Sequence, residues 1–531
     1  MNFNNSPIHP LRQPLFRSLW IASIASNIGT WMQNVGGAWL MTSLTPSPLM
    51  VALMQTATSL PVFLVGLPAG ALADIVDRRR LLLFWQTWML VAAALLGILT
   101  LFGATTPGIL LGLTFALGLG SAMNAPAWQA IVPELVSRAQ LTTAVTLNSA
   151  GFNVARAVGP ALGGIIVAAA SPAAVFLLNA ASFLGVIAVI YFWQRQPRKS
   201  ALPAERIVGA IRAGLRYMHH EPALRAVLVR TAVFIFSASG LWALLPLVAK
   251  KELKLGSFGY GVLLGCLGIG AVIGAFLLPK VRRKLSTHNL IIAATIIFAL
   301  ATLALAYVRN LGLVGAALMM GGLAWTTTMS SLNASTQLAV APWVQARSLG
   351  FYQLVFQGGL ASGSVVWGII AERWGNSVAL SGAALGLIVG LLAAIRYRLI
   401  AGEKLDLSPS LHWGEPIVLI DVQLEHGPVL ITIEYRIDPE KGQDFTDAIH
   451  ALSHVRLRDG AIRWSIWRDT ADPGRYVETY VLESWGEHLR QHQRFTVSDR
   501  VCENKVRSFH IGEKPPIVSH LIYAQHREGV S

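Results

Sequence analysis

The side chain with the sharpest chemistry is Arg156, at the centre of the apolar run from Asn148 to Gly164. A guanidinium at the middle of a bilayer span costs about 2.5–3.5 kcal/mol on insertion scales, so it must face a wet cavity or a polar partner. There it can attract an anion or hold charge. The structural alternative is a tie to helix carbonyls or to Asn153. Amides and indoles recur nearby at helical spacing. Asn27, Trp31 and Asn34 fall at i, i+4 and i+7, and Asn124 and Trp128 at i, i+4. Ser330, Asn333 and Gln337 share a later apolar run, and Gln353 and Gln357 the next. An amide facing lipid has no hydrogen-bond partner, so these faces turn to the centre of a helix bundle. Together they describe a cavity with aromatic walls and hydrogen-bond donors, suited to a bulky amphipathic solute rather than a simple ion. Each amide taken singly serves as well as a tie between helices.

The elements that must position these groups follow from composition. The chain has 531 residues, 54% hydrophobic and 13% charged, with mean hydropathy +0.54. A soluble protein carries about twice that charged fraction. Of 27 acidic residues only seven precede Tyr397, and the rest crowd the last quarter. A membrane part is therefore followed by a soluble part. Twelve apolar runs are long enough to span, at about 18–42, 49–73, 81–103, 108–132, 141–169, 173–193, 226–249, 258–280, 288–308, 312–340, 348–371 and 376–396. The net charge of +15 does not indicate nucleic acid, because the basic residues fall in short loops between these runs. With the N-terminus and the C-terminal domain in the cytoplasm, Arg12, Arg17, Arg78 to Arg80, Arg138, Lys280 to Lys284, Arg347, Arg396 and Arg398 lie inside. Lys250, Lys251, Lys254, Arg309 and Arg373 fall outside, and the lysines are the local exception.

The reading divides the chain into six-helix bundles at 1–194 and 226–398, a basic linker at 195–225, a second linker at 399–428 and a soluble domain at 429–531. In the first linker Ile207, Ile211, Leu215 and Met218 share a helical face. That helix lies either on the inner membrane surface or in solvent. No cleavable signal peptide is expected. Cys266 and Cys502 are too differently placed for a disulfide. No phosphate-binding Gly-x-x-x-x-Gly-Lys-Ser/Thr occurs, so ATP is not a direct energy source.

One loop joins two spans as Gly70-Ala71-Leu72-Ala73-Asp74-Ile75-Val76-Asp77-Arg78-Arg79-Arg80. Its arginines hold it on the cytoplasmic side, while Asp74 can take a proton, pair with an arginine or face a helix N-terminus. A second copy runs from Gly274 to Lys284 and keeps the glycine and the basic triplet, with Leu278 in place of the acid. Pro133 and Arg138 likewise match Pro342 and Arg347, so one bundle has been used twice. Two homologous bundles support alternating-access rocking. Gly159-Pro160-x-x-Gly163-Gly164 would provide a pliable packing seam for it. No Asp or Glu lies mid-membrane, and the carboxylates that remain, Asp74 and Glu134, stand near cytoplasmic helix ends.

The loop resembles the signature between the second and third helices of the major facilitator superfamily, with Ile75 where Arg is usual and Asp77 where Gly is usual. Asn27-Ile28-Gly29-Thr30-Trp31-Met32-Gln33 and Ala127-Trp128-Gln129-Ala130-Ile131-Val132-Pro133-Glu134 resemble its enterobactin-exporter-like branch, the transmembrane secretion effectors. The Gly-Pro motif resembles one common in the superfamily's exporters, with Ala155 where a further Gly often stands. The resemblance implies an all-α polytopic secondary transporter of the bacterial inner membrane. It would export a siderophore-like or drug-like molecule on the proton-motive force, with Gly70, Asp74, Arg78, Arg79, Gly159, Pro160, Gly163 and Gly164 in its conformational change. Its partners are the small-molecule substrate and the lipid bilayer.

In the tail the period changes. Ile431, Ile433, Tyr435 and Ile437 alternate, then Phe445, Ile449, Leu452 and Val455 follow a helical period. Strands at 462–468 and 476–483, a helix over Gly486–Arg500 and a strand at 518–523 complete a β-α-β-β-α-β order. It resembles the ferredoxin-like dimeric α+β barrels that include antibiotic-biosynthesis monooxygenases, which implies dimerisation through this domain. His488 and His492 at i, i+4 have metal-ligand spacing but no evident third ligand, so neither metal nor cofactor is expected. Trp464, Trp467 and Trp485 fit core packing better than an aromatic pocket. Besides the transporter, two readings remain open: a tail acting as a cofactor-free oxygenase, and a tail acting as a ligand sensor.

Overall fold

The computed structural model describes residues 9–137, 140–193, 207–399, 406–414, 418–419 and 422–524. The first six long helices are α1 (Pro14–Leu44), α2 (Pro48–Ile75), α3 (Arg78–Leu101), α4 (Pro107–Leu135), α5 (Leu141–Ala169) and α6 (Pro172–Phe192). A shorter helix, α7 (Ile207–His220), precedes α8 (Pro222–Leu247), α9 (Ser257–Arg282), α10 (Thr287–Tyr307), α11 (Leu311–Leu338), α12 (Gln345–Trp374) and α13 (Asn376–Arg396). Eleven of these helices are long and apolar enough to cross a bilayer. Helix α1 has 31 residues but is not among them, because Asn27, Gln33 and Asn34 dilute its apolar run.

The boundaries have local causes. Ser47, Thr106 and Ser171 each precede a proline and accept a hydrogen bond from the backbone N–H three residues on, at 3.3 Å in each case. The hydroxyl satisfies an orphan donor while proline presets the first helical turn. Asp77 likewise caps α3 through the N–H of Arg80 at 3.0 Å. This accounts for the acid in the place where the signature has Gly.

The chain forms two compact units. The first holds the helical bundle through residue 399, apart from the segments of the second. Inside it α1 packs on α5 and α6, α2 on α4, α3 on α6, α10 on α13, and α5 on α9. The last pairing joins the two halves. It is close because both helices are small at the crossing: a Cβ on Gly164 would lie 2.9 Å from Gly261 Cα.

The second unit gathers the described residues of 202–227, 334–349 and 400–531. Its sheet comprises β1 (Val429–Arg436), β2 (Arg463–Arg468), β3 (Arg475–Leu482) and β4 (Ile517–Ile522) in the order β2-β3-β1-β4, with every pairing antiparallel. Val429, Ile431, Ile433 and Tyr435 of β1 are buried beside Leu482, Tyr480, Glu478 and Tyr476 of β3. Helix α14 (Gly442–Asp459) buries the expected Phe445, Ile449, Leu452 and Val455. The single helix expected over Gly486–Arg500 is instead two, α15 (Trp485–Arg494) and α16 (Val497–Arg507). Phe495 is extended and buried, and Thr496 restarts the helix through a capping box with Asp499.

Helix α7 docks on α14 rather than standing alone as a linker helix. Tyr217 is fully buried, accepts the Ala341 N–H at 3.2 Å and packs edge-on against Trp343. Leu215 of the expected apolar face is exposed, and the side chains of Ile207 and Ile211 lie outside the described residues.

Candidate functional site

A cavity of about 570 Å³ opens within the bundle, lined by side chains from α1–α6 and from α8, α9, α11 and α12. Trp31, Asn34, Arg156, Gln353 and Gln357 of the expected set line it. Arg156 is the sole charged side chain among the described lining residues, and its guanidinium lies 5.9 Å from the Trp31 ring. Trp31 also meets Phe152 edge-on at 6.3 Å. On the opposite half Trp325 packs edge-on against Trp242 and Phe356 at 5.2 and 6.1 Å. The Trp242 Nε1–H is buried and finds no hydrogen-bond partner among the described residues.

The lining also contains amides and hydroxyls that the periodicity argument missed. Asn179 of α6 donates its Nδ2 to Gln33 Oε1 of α1, and Gln55 donates to Ser59 Oγ at 3.0 Å. Asn179 is 1% exposed. It stands alone in an apolar helix, so no spacing signal marks it; only its cost in lipid does.

Other expected site residues lie elsewhere. Asn27 is half-buried one turn before Trp31 and does not line the cavity. Asn124 accepts from Gln86 Nε2 at 3.3 Å, a tie between α3 and α4. Trp128 lines a second, very small pocket with Phe16 and Asn148. Asn153 is exposed, while Asn333 and Gln337 sit in the last turns of α11 outside the cavity lining.

At the signature loop Arg78, the first residue of α3, ties that helix to α4, donating to Ala130 O at 3.1 Å and pairing with Glu134 at 2.8 Å. Arg79 donates to Ile190 O of α6 at 3.0 Å. Nothing lies within 4 Å of a Cβ built on Gly70, and the Asp74 side chain is outside the described residues, as is Arg138. In the second copy Arg282 reaches Ser331 of α11 at 3.2 Å. The Gly-Pro motif is a two-sided seam. Cβ atoms on Gly159 and Gly163 would lie 2.5 Å from Trp31 Cβ and 2.9 Å from Met32 Cα, both on α1, while Gly164 faces α9. Pro160 lines the cavity between them.

In the second unit His520 of β4 joins the two expected histidines. The rings of His492 and His520 each lie 4.7 Å from that of His488. No group of three or more metal-binding side chains among the described residues could hold an ion. Burial, and then His492 and His520, push the His488 imidazole down to about 3. Beside them Arg456, with Glu478 at 3.2 Å and the rings of Trp413 and Tyr480 over its guanidinium, forms a buried charged core.

Two helical halves packed around a central cavity, with one cation and several amides among its described lining residues, are the architecture of a multi-pass membrane carrier. The chain belongs to the transmembrane secretion effector family of the major facilitator superfamily, whose model matches residues 5–528. Among similar curated proteins, a staphyloferrin A transporter of Staphylococcus aureus is 25% identical over 53% of this chain and 70% of its own length. A multidrug efflux pump, Tap of Mycolicibacterium fortuitum, is 24% identical over 75% of this chain and 98% of its own. Among solved structures, the nucleoside transporter NupG matches with TM-score 0.62 at 11% identity, covering 72% of this chain and all of that one. A bacterial homolog of the human lysosomal transporter Spinster matches at 0.57 and 13%, covering 73% and 95%. These structural likenesses bear on the fold alone. The family and its relatives are transporters, not enzymes.

Proposed function

We propose that this chain is a secondary active exporter of the bacterial inner membrane, driven by the proton-motive force, whose cargo is an anionic amphipathic small molecule. The observation that carries the reading is the cavity lining: Arg156 is its one charged group among the described residues, set among indoles, phenyl rings and amides. An anion gives that guanidinium its missing counter-charge, and an apolar or aromatic body fills the rest. The names of the relatives, a staphyloferrin A transporter and a multidrug efflux pump, favour siderophore-like or drug-like cargo and outward direction.

In this reading α1 is the twelfth span, its polar face turned to the cavity. The basic loops set the N-terminus and the tail inside. Asn34, Gln353 and Gln357 contact cargo beside Arg156, and Asn124 ties α3 to α4. The loop of Gly70, Asp74, Arg78 and Arg79 and the seam of Gly159, Gly163 and Gly164 serve the rocking motion. Asp74 and Glu134 are the carboxylates for proton coupling. The strand order of the tail supports a ferredoxin-like domain; dimerisation through it is part of this reading.

The test compares medium and cell extract by mass spectrometry between an iron-limited strain lacking this gene and its parent. Export predicts a compound that disappears from the medium and accumulates inside, and the same phenotype from Arg156→Ala. Depletion inside the mutant cells instead would overturn the direction.

A further inference from the structure

The lysines that break the charge rule have a structural role at the end of the bundle where α1 turns into α2. Two of them, Lys250 and Lys251, sit on a π-helical turn, Val248–Glu252, that follows α8. Lys250 Nζ donates to Thr42 O at 2.8 Å and to Ser43 Oγ at 3.0 Å, and lies 5.6 Å from the Trp39 ring. Lys251 Nζ donates to Pro46 O at 2.8 Å. From α12, Glu372 Oε2 accepts the Ser47 hydroxyl at 2.8 Å and the Leu49 N–H at 3.1 Å. Every one of these bonds runs from the second half of the bundle to the first.

The signs match the helix ends they meet. The C-terminus of α1 presents orphan carbonyls and the negative end of its dipole, and it receives the Lys250 ammonium, while Lys251 holds the Pro46 carbonyl of the turn. The N-terminus of α2 presents orphan N–H groups and the positive end, and it receives the carboxylate. A π-helical turn is rare and often marks a functional position. Here it presents consecutive lysines to the same turn, while Glu252 is tied back to Arg309 of its own half at 3.0 Å.

We propose that Lys250, Lys251 and Glu372 form the latch that closes the outer end of the cavity. The inference rests on the orientation and alternating-access reading above. The latch is made in this conformation and must break whenever that end opens, because rocking separates the second half from the α1–α2 turn. Its hydrogen-bond partners are backbone groups and hydroxyls at the edge of the bilayer, where water can replace them, so the latch can open and reclose. The lysines lie outside, against the charge rule, because the acceptors they hold are there.

The experiment uses the full chain in nanodiscs with Cys266→Ser and Cys502→Ser. Spin labels at Ala104→Cys and Val378→Cys report the outer end by electron–electron resonance; labels at Val145→Cys and Leu285→Cys report the inner end. The double variant Lys250→Ala/Lys251→Ala, and separately Glu372→Gln, should each raise the ratio of long to short outer distances by about tenfold. The inner distances should shorten in step, and Lys250→Arg should keep the original distribution. Latch variants that remain monodisperse with unchanged distances at both ends would overturn the latch and leave alternating access standing. Outer distances that lengthen with no inner response would overturn both, since the halves would then be loosening rather than rocking.

Discussion

Arg156 faces a cavity with no carboxylate among its described lining residues, and under the proposed function an anionic cargo supplies its counter-charge. Replacing it with Gln should cut transport of an anionic compound by about tenfold, the worth of one charge-assisted hydrogen bond, while Lys keeps part of the rate. Flux assays in proteoliposomes with charged and neutral analogues check this, and equal loss for both would refute a charge role. His488 gives a second prediction at this scale. It is 2% exposed and its folded pKa is about 3, against about 6.5 when unfolded. Below pH 6.5 the unfolded chain therefore binds a proton that the folded domain refuses. Stability is fully present above about 6.5 and is lost as pH falls toward 3. Tryptophan fluorescence melts of the full chain should show the tail transition falling over that window, and His488→Phe should flatten the fall.

At the scale of the helix, the seam along α5 has a stricter requirement than small-residue composition suggests. Gly164 meets Gly261 backbone to backbone, with Ser257 O 3.0 Å from where a Cβ would lie. Gly164→Val must push α9 away, at a cost of about 1–3 kcal/mol for overpacking. The expected result is normal membrane insertion with transport reduced by at least about tenfold; normal flux would mean that α5 and α9 do not need this contact. Helix α7 shows a different effect. Its periodicity predicted an amphipathic surface helix, and the chain instead buries Tyr217 against α14 and Trp343. Hydrophobic spacing identified the helix, but it could not identify which neighbour would cover it.

At the scale of the whole molecule, the tail is built into a unit with the linker and with residues 334–349 rather than merely following the last span. Arg458, 6% exposed, joins them: it bonds Asp459 at 2.8 Å, Asp499 at 2.6 Å and Glu221 of the linker at 3.3 Å, under the Tyr217 ring. Burial works to lower the proton affinity of its guanidinium, but Asp459 and Asp499 outweigh that and hold it well above the usual arginine range. Arg458→Met removes the cation that bonds all three carboxylates, which costs about 3–5 kcal/mol. Thermal melts should show the tail transition lowered, and limited proteolysis should cut near α7. If α7 remains protected at the lowered melting temperature, the charge cluster stabilises the tail without holding the linker.

Much of this was legible in the residues themselves. Long apolar runs with basic loops force spanning helices, because a backbone in lipid must satisfy its own hydrogen bonds, and the prolines after Ser47, Thr106 and Ser171 mark where helices begin. Arg156, Trp31 and Asn34 could be assigned to a cavity because lipid is a uniform and costly environment for polar groups. Alternation and helical period likewise gave the strands and α14 of the tail. Long-range pairing was not legible. Asn27 and Asn34 lie on one predicted face, yet only Asn34 reaches the cavity; Asn179 reaches it with no periodic signal; and Lys250 looked like an exception until the α1–α2 turn was beside it. Spacing along one helix fixes direction around its axis, whereas which helices meet, at what depth and in what register depends on packing between segments far apart in the chain, and only the tertiary structure decides that.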